Sequence, residues 1–338
     1  MNTFPCIKST AFRVLFTVIV TGAAASSASA NDLTIYTYSS FNSDWGPGPQ
    51  VQSAFEERCG CTLRFVSSDD GVSLLNRVRL EGSNTQADVV LGIDDALIEE
   101  GRALGLFQPH GLNWNDVPLA DDLAWGDVDF VPFDYGYFAF VYDTERLAAP
   151  AESLAELLAS DATIVYQDPR TSTVGQGLMQ WIEAVYEDDA AAAWQALAQR
   201  TVTVTQGWTE SYNMFLEGEA DYVLSYTTSP AYHMVAEDSD RYQAAAFTEG
   251  HVAQVEVGAV SAHTSNFALA QDFLRFIVEE DAQKILPVTN WMLPVRTGVA
   301  LPDAFDALIT PQRIGYSPEE IHQSRQDWIR TWRNAVSQ

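Results

Sequence analysis

The chain has 338 residues and sets 46 acidic side chains against 18 basic ones, a formal net charge of −28. That excess excludes nucleic acid as a partner, because such binding rests on Lys and Arg neutralising phosphates, while it favours solubility and gathers cations near the surface. Five scattered histidines and three cysteines offer no metal-ligand spacing, so no resident metal is expected.

The first residues read as a targeting segment. Lys8 and Arg13 lead into an apolar run at 14–20, and Ala28-Ser29-Ala30 is a small-residue cleavage site, the parts of a signal peptide over 1–30. The run falls short of the roughly 20 apolar residues that cross a bilayer. Cys6 precedes it and is not placed to become a lipid-anchored terminus. Cleavage after about Ala30 removes two positive charges and no negative one, which moves the balance to −30. A mature protein outside the cytoplasm is expected, long enough for two lobes of about 100 to 150 residues each.

From there strands and helices alternate. A strand at 33–38 is followed by a helix at 50–57, a strand at 62–67 and a helix at 71–81, with Val72, Leu75 and Val78 on one face. Residues 87–93 are apolar apart from Asp88, as buried parallel strands tend to be, and Asp94 and Asp95 suit a helix N-terminus. Cys59 and Cys61 form a Cys-Gly-Cys pair for which an oxidising compartment permits a tight disulfide; free thiols are the alternative. The run FVPFDYGYFAFVYD at 130–143 is too long and aromatic for an ordinary core strand. A second series comprises strand 163–167, helices 177–187 and 189–200, strand 202–205, helix 210–217 and strand 222–226. A long strand at 251–262 and a helix at 266–285 come next, then a last helix started by Ser317, Pro318 and Glu320. The acidic pairs Asp94-Asp95, Asp121-Asp122 and Asp188-Asp189 fit helix starts and loops better than a catalytic dyad.

This pattern predicts an α/β fold of two mostly parallel lobes joined by crossing hinge strands. Approximate bounds are 31–131 plus 253–286 for one lobe and 132–252 plus 287–338 for the other. No phosphate-binding Gly-Lys loop, His-Glu-x-x-His or Gly-x-Ser-x-Gly motif is present, and no catalytic residue or cofactor is expected. Candidate binding residues instead gather in loops at the carboxyl ends of strands, where open α/β sheets bind ligands. Tyr38, Asp70-Gly71, Thr171-Ser172-Thr173, Trp208 and Tyr226-Thr227-Thr228-Ser229 all stand there. Aromatic faces, a carboxylate and hydroxyl-rich loops ahead of helices suit a flat organic cation carrying a phosphate.

The stretches LTIYTYSSFNSDWGPGP, DGVSLLNRVRLEG, ADVVLG, FVPFDYGYFAFVYD, YQDPRTST, TVTVTQGW, DYVLSYTTSPAYH and NWMLPV carry a resemblance over nearly all of 33–337. The chain resembles the periplasmic thiamine-binding proteins, solute-binding components of ATP-driven importers. The resemblance implies a two-lobed periplasmic binding fold of type II, a periplasmic location, thiamine and thiamine phosphates as ligands, and a membrane permease with ATPase subunits as partners. The family's Asp-Gly pair falls on Asp70 and Gly71, where the carboxylate would face the aminopyrimidine or thiazolium. Its Ser-Thr pair falls on Ser172 and Thr173, which would meet a phosphate at a helix start. Trp208 and the turn Tyr226, Thr227, Thr228, Ser229 match as well, as do Trp291, Tyr38 and Tyr232.

Plainer roles stand beside these. Trp208 could be core, Ser172 and Thr173 simple caps, Asp70 a turn residue, and Arg170 a partner of either a phosphate or Asp168. Two other functions share the fold. A thiamine-degrading enzyme would need a cysteine nucleophile, and a ferric-ion carrier would need adjacent tyrosines, which the chain lacks.

Overall fold

The computed structural model describes residues 32–120 and 123–337. The expected signal peptide and the pair Asp121-Asp122 lie outside the described residues.

One curled mixed sheet organises the molecule. Strand Asp32–Tyr38 pairs in parallel with Thr62–Ser68 on one side and Val89–Asp94 on the other. Every residue of Val89–Asp94 is buried, which explains its nearly continuous apolar run. The antiparallel strands His251–Ser261 and Phe130–Asp143 follow, then Tyr222–Tyr226, Ile164–Gln167 and Thr201–Thr205, again parallel among themselves.

The crossing is made mainly by one strand. Residues 130–137 of Phe130–Asp143 pair with 253–259, whereas Phe138–Tyr142 pair with Tyr226–Tyr222. The cores separate at the same place. Phe133 and Val255 belong to a first core with Ile35, Phe55, Leu91 and Phe273. Phe138 and Val252 belong to a second with Tyr166, Trp181, Trp194 and Trp332. A smaller cluster of Val141, Val165, Tyr212, Phe215 and Val223 packs beside it. Asp134, Gly136, Tyr137, Ala253 and Gln254 belong to neither core, and Tyr135 packs on the first. The 287–338 segment divides between them: Val295 packs in the first core, whereas Trp332 packs in the second.

Several elements differ from the sequence expectation. The helix expected at 177–187 begins four residues earlier, as Thr173–Tyr186, because Ser172 caps it by accepting from the Gly175 amide. The helix expected at 266–285 is broken into Phe267–Ile277, Glu280–Gln283 and Leu286–Thr289. Glu279 is extended at the break, and the Gln283 amide donates to the carbonyls of Ile277 and Phe133, filling acceptors that the break exposes. The helix start expected at Asp94 and Asp95 is met by a turn at Asp95–Leu97 that runs into helix Ile98–Ala103, whereas the short helices Leu154–Ala159 and Ser229–Ala236 were not expected. The last helix, Pro318–Val336, starts with the expected capping box between Ser317 and Glu320. Cys59 and Cys61 are disulfide-bonded.

Candidate functional site

The carboxyl ends of the parallel strands from both half-sheets face one another across a cleft of about 250 Å³. Each strand end delivers its candidate residue because the chain turns there into a helix. Asp70 caps helix Gly71–Glu81, Gly207 precedes helix Trp208–Leu216, and Thr228 precedes helix Ser229–Ala236.

Tyr38, Asp70, Thr173, Trp208, Tyr226, Ser229, Tyr232 and Trp291 line this cleft. Gly71, Ser172, Thr227 and Thr228 do not. Each has a local task instead. A Cβ on Gly71 would stand 2.6 Å from both the Gly92 carbonyl and the Thr173 methyl, so only glycine allows these loops to touch. Ser172 is wholly buried as a helix cap. The Thr227 amide donates to the Tyr137 carbonyl, and the Thr228 hydroxyl lies 4.0 Å from the Met292 sulfur.

Asp70 is the hub between lobes. Its Oδ1 accepts from the Gly71 amide at 2.7 Å and the Thr173 amide at 3.0 Å, while its Oδ2 accepts from the Trp208 amide at 3.3 Å. Thr173 and Trp208 both open helices of the second lobe, so one buried carboxylate satisfies N-terminal amides there and in its own lobe. Burial raises its pKa, and the bonds from Thr173, Gly71, Ser172 and Trp208 pull it back down. The Ser73 amide, which donates to the Thr171 carbonyl at 2.9 Å, adds a second tie across the cleft.

The aromatic wall is a stack. Trp208 lies on Tyr212 with centroids 4.7 Å apart and planes inclined by 22°, and its indole N–H donates to the Ser225 hydroxyl at 2.7 Å. Tyr212 is backed in turn by His233, whose ring nitrogen lies 2.9 Å from the phenol oxygen. The exposed Trp45 stands 6.2 Å from Trp208 at the cleft mouth. Tyr232 continues the wall, its ring centroid 4.8 Å from that of His233 and 5.5 Å from that of Trp291, edge-on. Trp291 has φ of +56°, a left-handed backbone that costs a bulky residue about 1 to 2 kcal/mol, and it lines the cleft.

The floor is polar and anionic. Glu256 accepts from the Tyr38 hydroxyl at 2.7 Å, and Asn290 donates to Asp134 at 2.6 Å. Tyr226 donates to Gln254 at 2.8 Å, continuing the network. Burial, then repulsion from Asp134, push the Glu256 pKa well up. Sequence reasoning missed Trp45, Tyr212, Glu256 and Asn290. Tyr212 was detectable as the residue one helical turn beyond Trp208, and Glu256 as the lone acid in a largely apolar hinge strand.

Arg170 chelates Asp168, with Nε at 2.9 and 3.0 Å from its two oxygens, and covers the Trp332 ring at 5.1 Å. It does not line the cleft.

Comparisons with known proteins bear on the family and the fold. Residues 50–310 match the family model described as bacterial extracellular solute-binding protein. The thiamine-binding periplasmic protein of Escherichia coli (strain K12) is 52% identical over 308 residues, covering 90% of this chain and 93% of the relative. Its namesake from Brucella abortus is 49% identical over 96% of this chain and 97% of the relative. A solved periplasmic thiamin binding protein superposes with a TM-score of 0.88 at 51% identity, over 91% of this chain and 96% of that one. A ferric binding protein from Campylobacter jejuni, at 18% identity and a TM-score of 0.75 over 90% of this chain and 99% of that one, shares the fold.

Proposed function

The chain belongs to the bacterial extracellular solute-binding family, among its thiamine-binding periplasmic proteins, and we propose that its cleft encloses thiamine and thiamine mono- and diphosphate for delivery to the permease and ATPase of an ABC importer. The observation that carries this reading is the Trp208–Tyr212 stack, which lines one interlobe cleft together with Trp291, Asp70 and Glu256. A flat cation gains there from ring faces, at about 0.5 to 2 kcal/mol per contact, and from nearby carboxylates. The Thr173 amide is held by Asp70, and the Ser229 hydroxyl at the next helix start offers a donor to a phosphate.

The role is capture, with no bond made or broken. Contacts from both lobes favour the closed arrangement, which would be the form the permease recognises. A degrading enzyme would need a free thiolate, but Cys59 and Cys61 are bonded to each other. Calorimetric titration with the three thiamine forms tests the reading. One-to-one saturation with recovery of intact ligand is expected; no heat from any form would overturn it, and pyrimidine release would convert the protein into an enzyme.

A further inference from the structure

The hinge strands place two carboxyl groups together at the floor of the cleft. Asp134 comes from Phe130–Asp143 and Glu256 from His251–Ser261, and the strand register sets them directly opposite one another. Asp134 is wholly buried and Glu256 nearly so. Asn290 reaches both, at 2.6 Å from Asp134 and 3.4 Å from Glu256. Asp134 Oδ1 has no protein partner, and Glu256 Oε1 has the Gln254 amide at 3.4 Å.

Among the described residues no cation answers this pair. From the surrounding elements, Tyr38, Asp70 and Tyr226 face it, and they are phenols or an acid. Asp94 sits across the register from Glu256, and Asp95 accepts from the Val255 amide. The basic groups nearby act elsewhere, Arg313 on Asp95 and Arg325 on Asp94 with Glu100. Two buried carboxyls without a counter-charge do not both ionise, because desolvation and mutual repulsion act in the same direction. Burial pushes the Asp134 pKa up to about 7 against the pull of its bonds with Asn290 and Glu256, and burial followed by repulsion from Asp134 pushes Glu256 well up. Glu256 lines the cleft and Asp134 does not. Asp70, the other acid lining it, is already engaged by backbone amides.

We propose that Glu256 and Asp134 share one proton while the cleft is empty, and release it to solvent when the positive charge of the ligand settles beside Glu256. The proposal rests on the thiamine reading and deepens it: the ligand's charge is matched at the hinge, by a group that changes its own charge on binding. The two strands that carry the pair are those that run between the lobes, so capture and closure act on the same residues. Because a proton leaves on binding, the association constant rises with pH across the range in which the empty pair holds its proton.

Calorimetry in phosphate and Tris, whose ionisation heats differ, counts the protons. Wild-type protein at pH 7 is expected to release about half to one proton per thiamine, with affinity rising by up to about tenfold per unit between pH 6 and 8. Asp134→Asn should still bind thiamine but release less than about half as much, and Glu256→Gln should lose about tenfold or more in affinity as the facing charge disappears. Equal heats in both buffers with flat affinity over that range would overturn the inference even though thiamine binds. No thiamine heat at all in wild type would overturn the reading beneath it as well. The wild-type measurement decides without either variant.

Discussion

Single side chains in this cleft do different work from that suggested by their types. Trp208 was recognisable as a ring at a strand end, and the structure shows the support that fixes it: Tyr212 beneath it and Ser225 holding its N–H. Trp208→Ala is expected to weaken thiamine binding tenfold or more, the loss of about 1 to 2 kcal/mol of ring contact, and Trp208→Phe should recover part of it; unchanged calorimetric affinity would remove Trp208 from the site. Asp70 was expected to face the ligand's charge. It lines the cleft, and its oxygens also accept amides from both lobes, a role that sequence cannot reveal because Thr173 and Trp208 lie 103 and 138 residues away. Asp70→Ala leaves those amides without their acceptor, and charged hydrogen bonds of this kind contribute about 1.5 to 3 kcal/mol. Affinity should therefore fall by at least tenfold, with the ligand-free lobes more open by small-angle scattering. Glu256 escaped notice for the opposite reason, a charged residue hidden by the apolar strand around it.

At the level of elements, periodicity located most strands and helices, and local chemistry set their ends. The C-terminal helix was legible because its capping box is written in adjacent residues. Helix Thr173–Tyr186 starts four residues before the expected 177, at the buried Ser172 cap, and carries Gly175 and Gly177 in its first turns. Both are packing glycines. A Cβ on Gly177 would lie 2.0 Å from the Phe138 ring, and one on Gly175 2.3 Å from the Gln167 carbonyl. Gly177→Ala should thus destabilise the protein by about 1 to 3 kcal/mol despite the better helix propensity of alanine. Differential scanning calorimetry would read this as a melting point several degrees lower, whereas a rise would show that Phe138 can move aside. The break after Ile277 depends on Gln283 reaching Phe133, a contact across 150 positions with no local signal.

The whole molecule combines a strongly acidic surface with a cleft built for positive charge. The two-lobed architecture was readable from alternation plus the long run at 130–143, since a strand of 14 residues is too long for a single small half-sheet. Its division between two pairing partners was visible only in the structure. With a net charge of −28, the long-range field attracts the thiamine cation and repels the anionic diphosphate. Raising salt from about 0.02 to 0.5 M should therefore slow thiamine association several-fold and speed diphosphate association, in line with screening over a few ångströms at high salt. Stopped-flow tryptophan fluorescence measures both rates, and identical salt dependence for the two ligands would show that the surface charge does not steer them.

The most direct test is a crystal structure with thiamine bound. It should show the ligand's rings between the lobes, against Trp208 and near Trp291, with its charged side toward Glu256 and the Asp70 tie in place. Thiamine bound outside that cleft, or within it but turned away from both indoles and both carboxylates, would contradict the account.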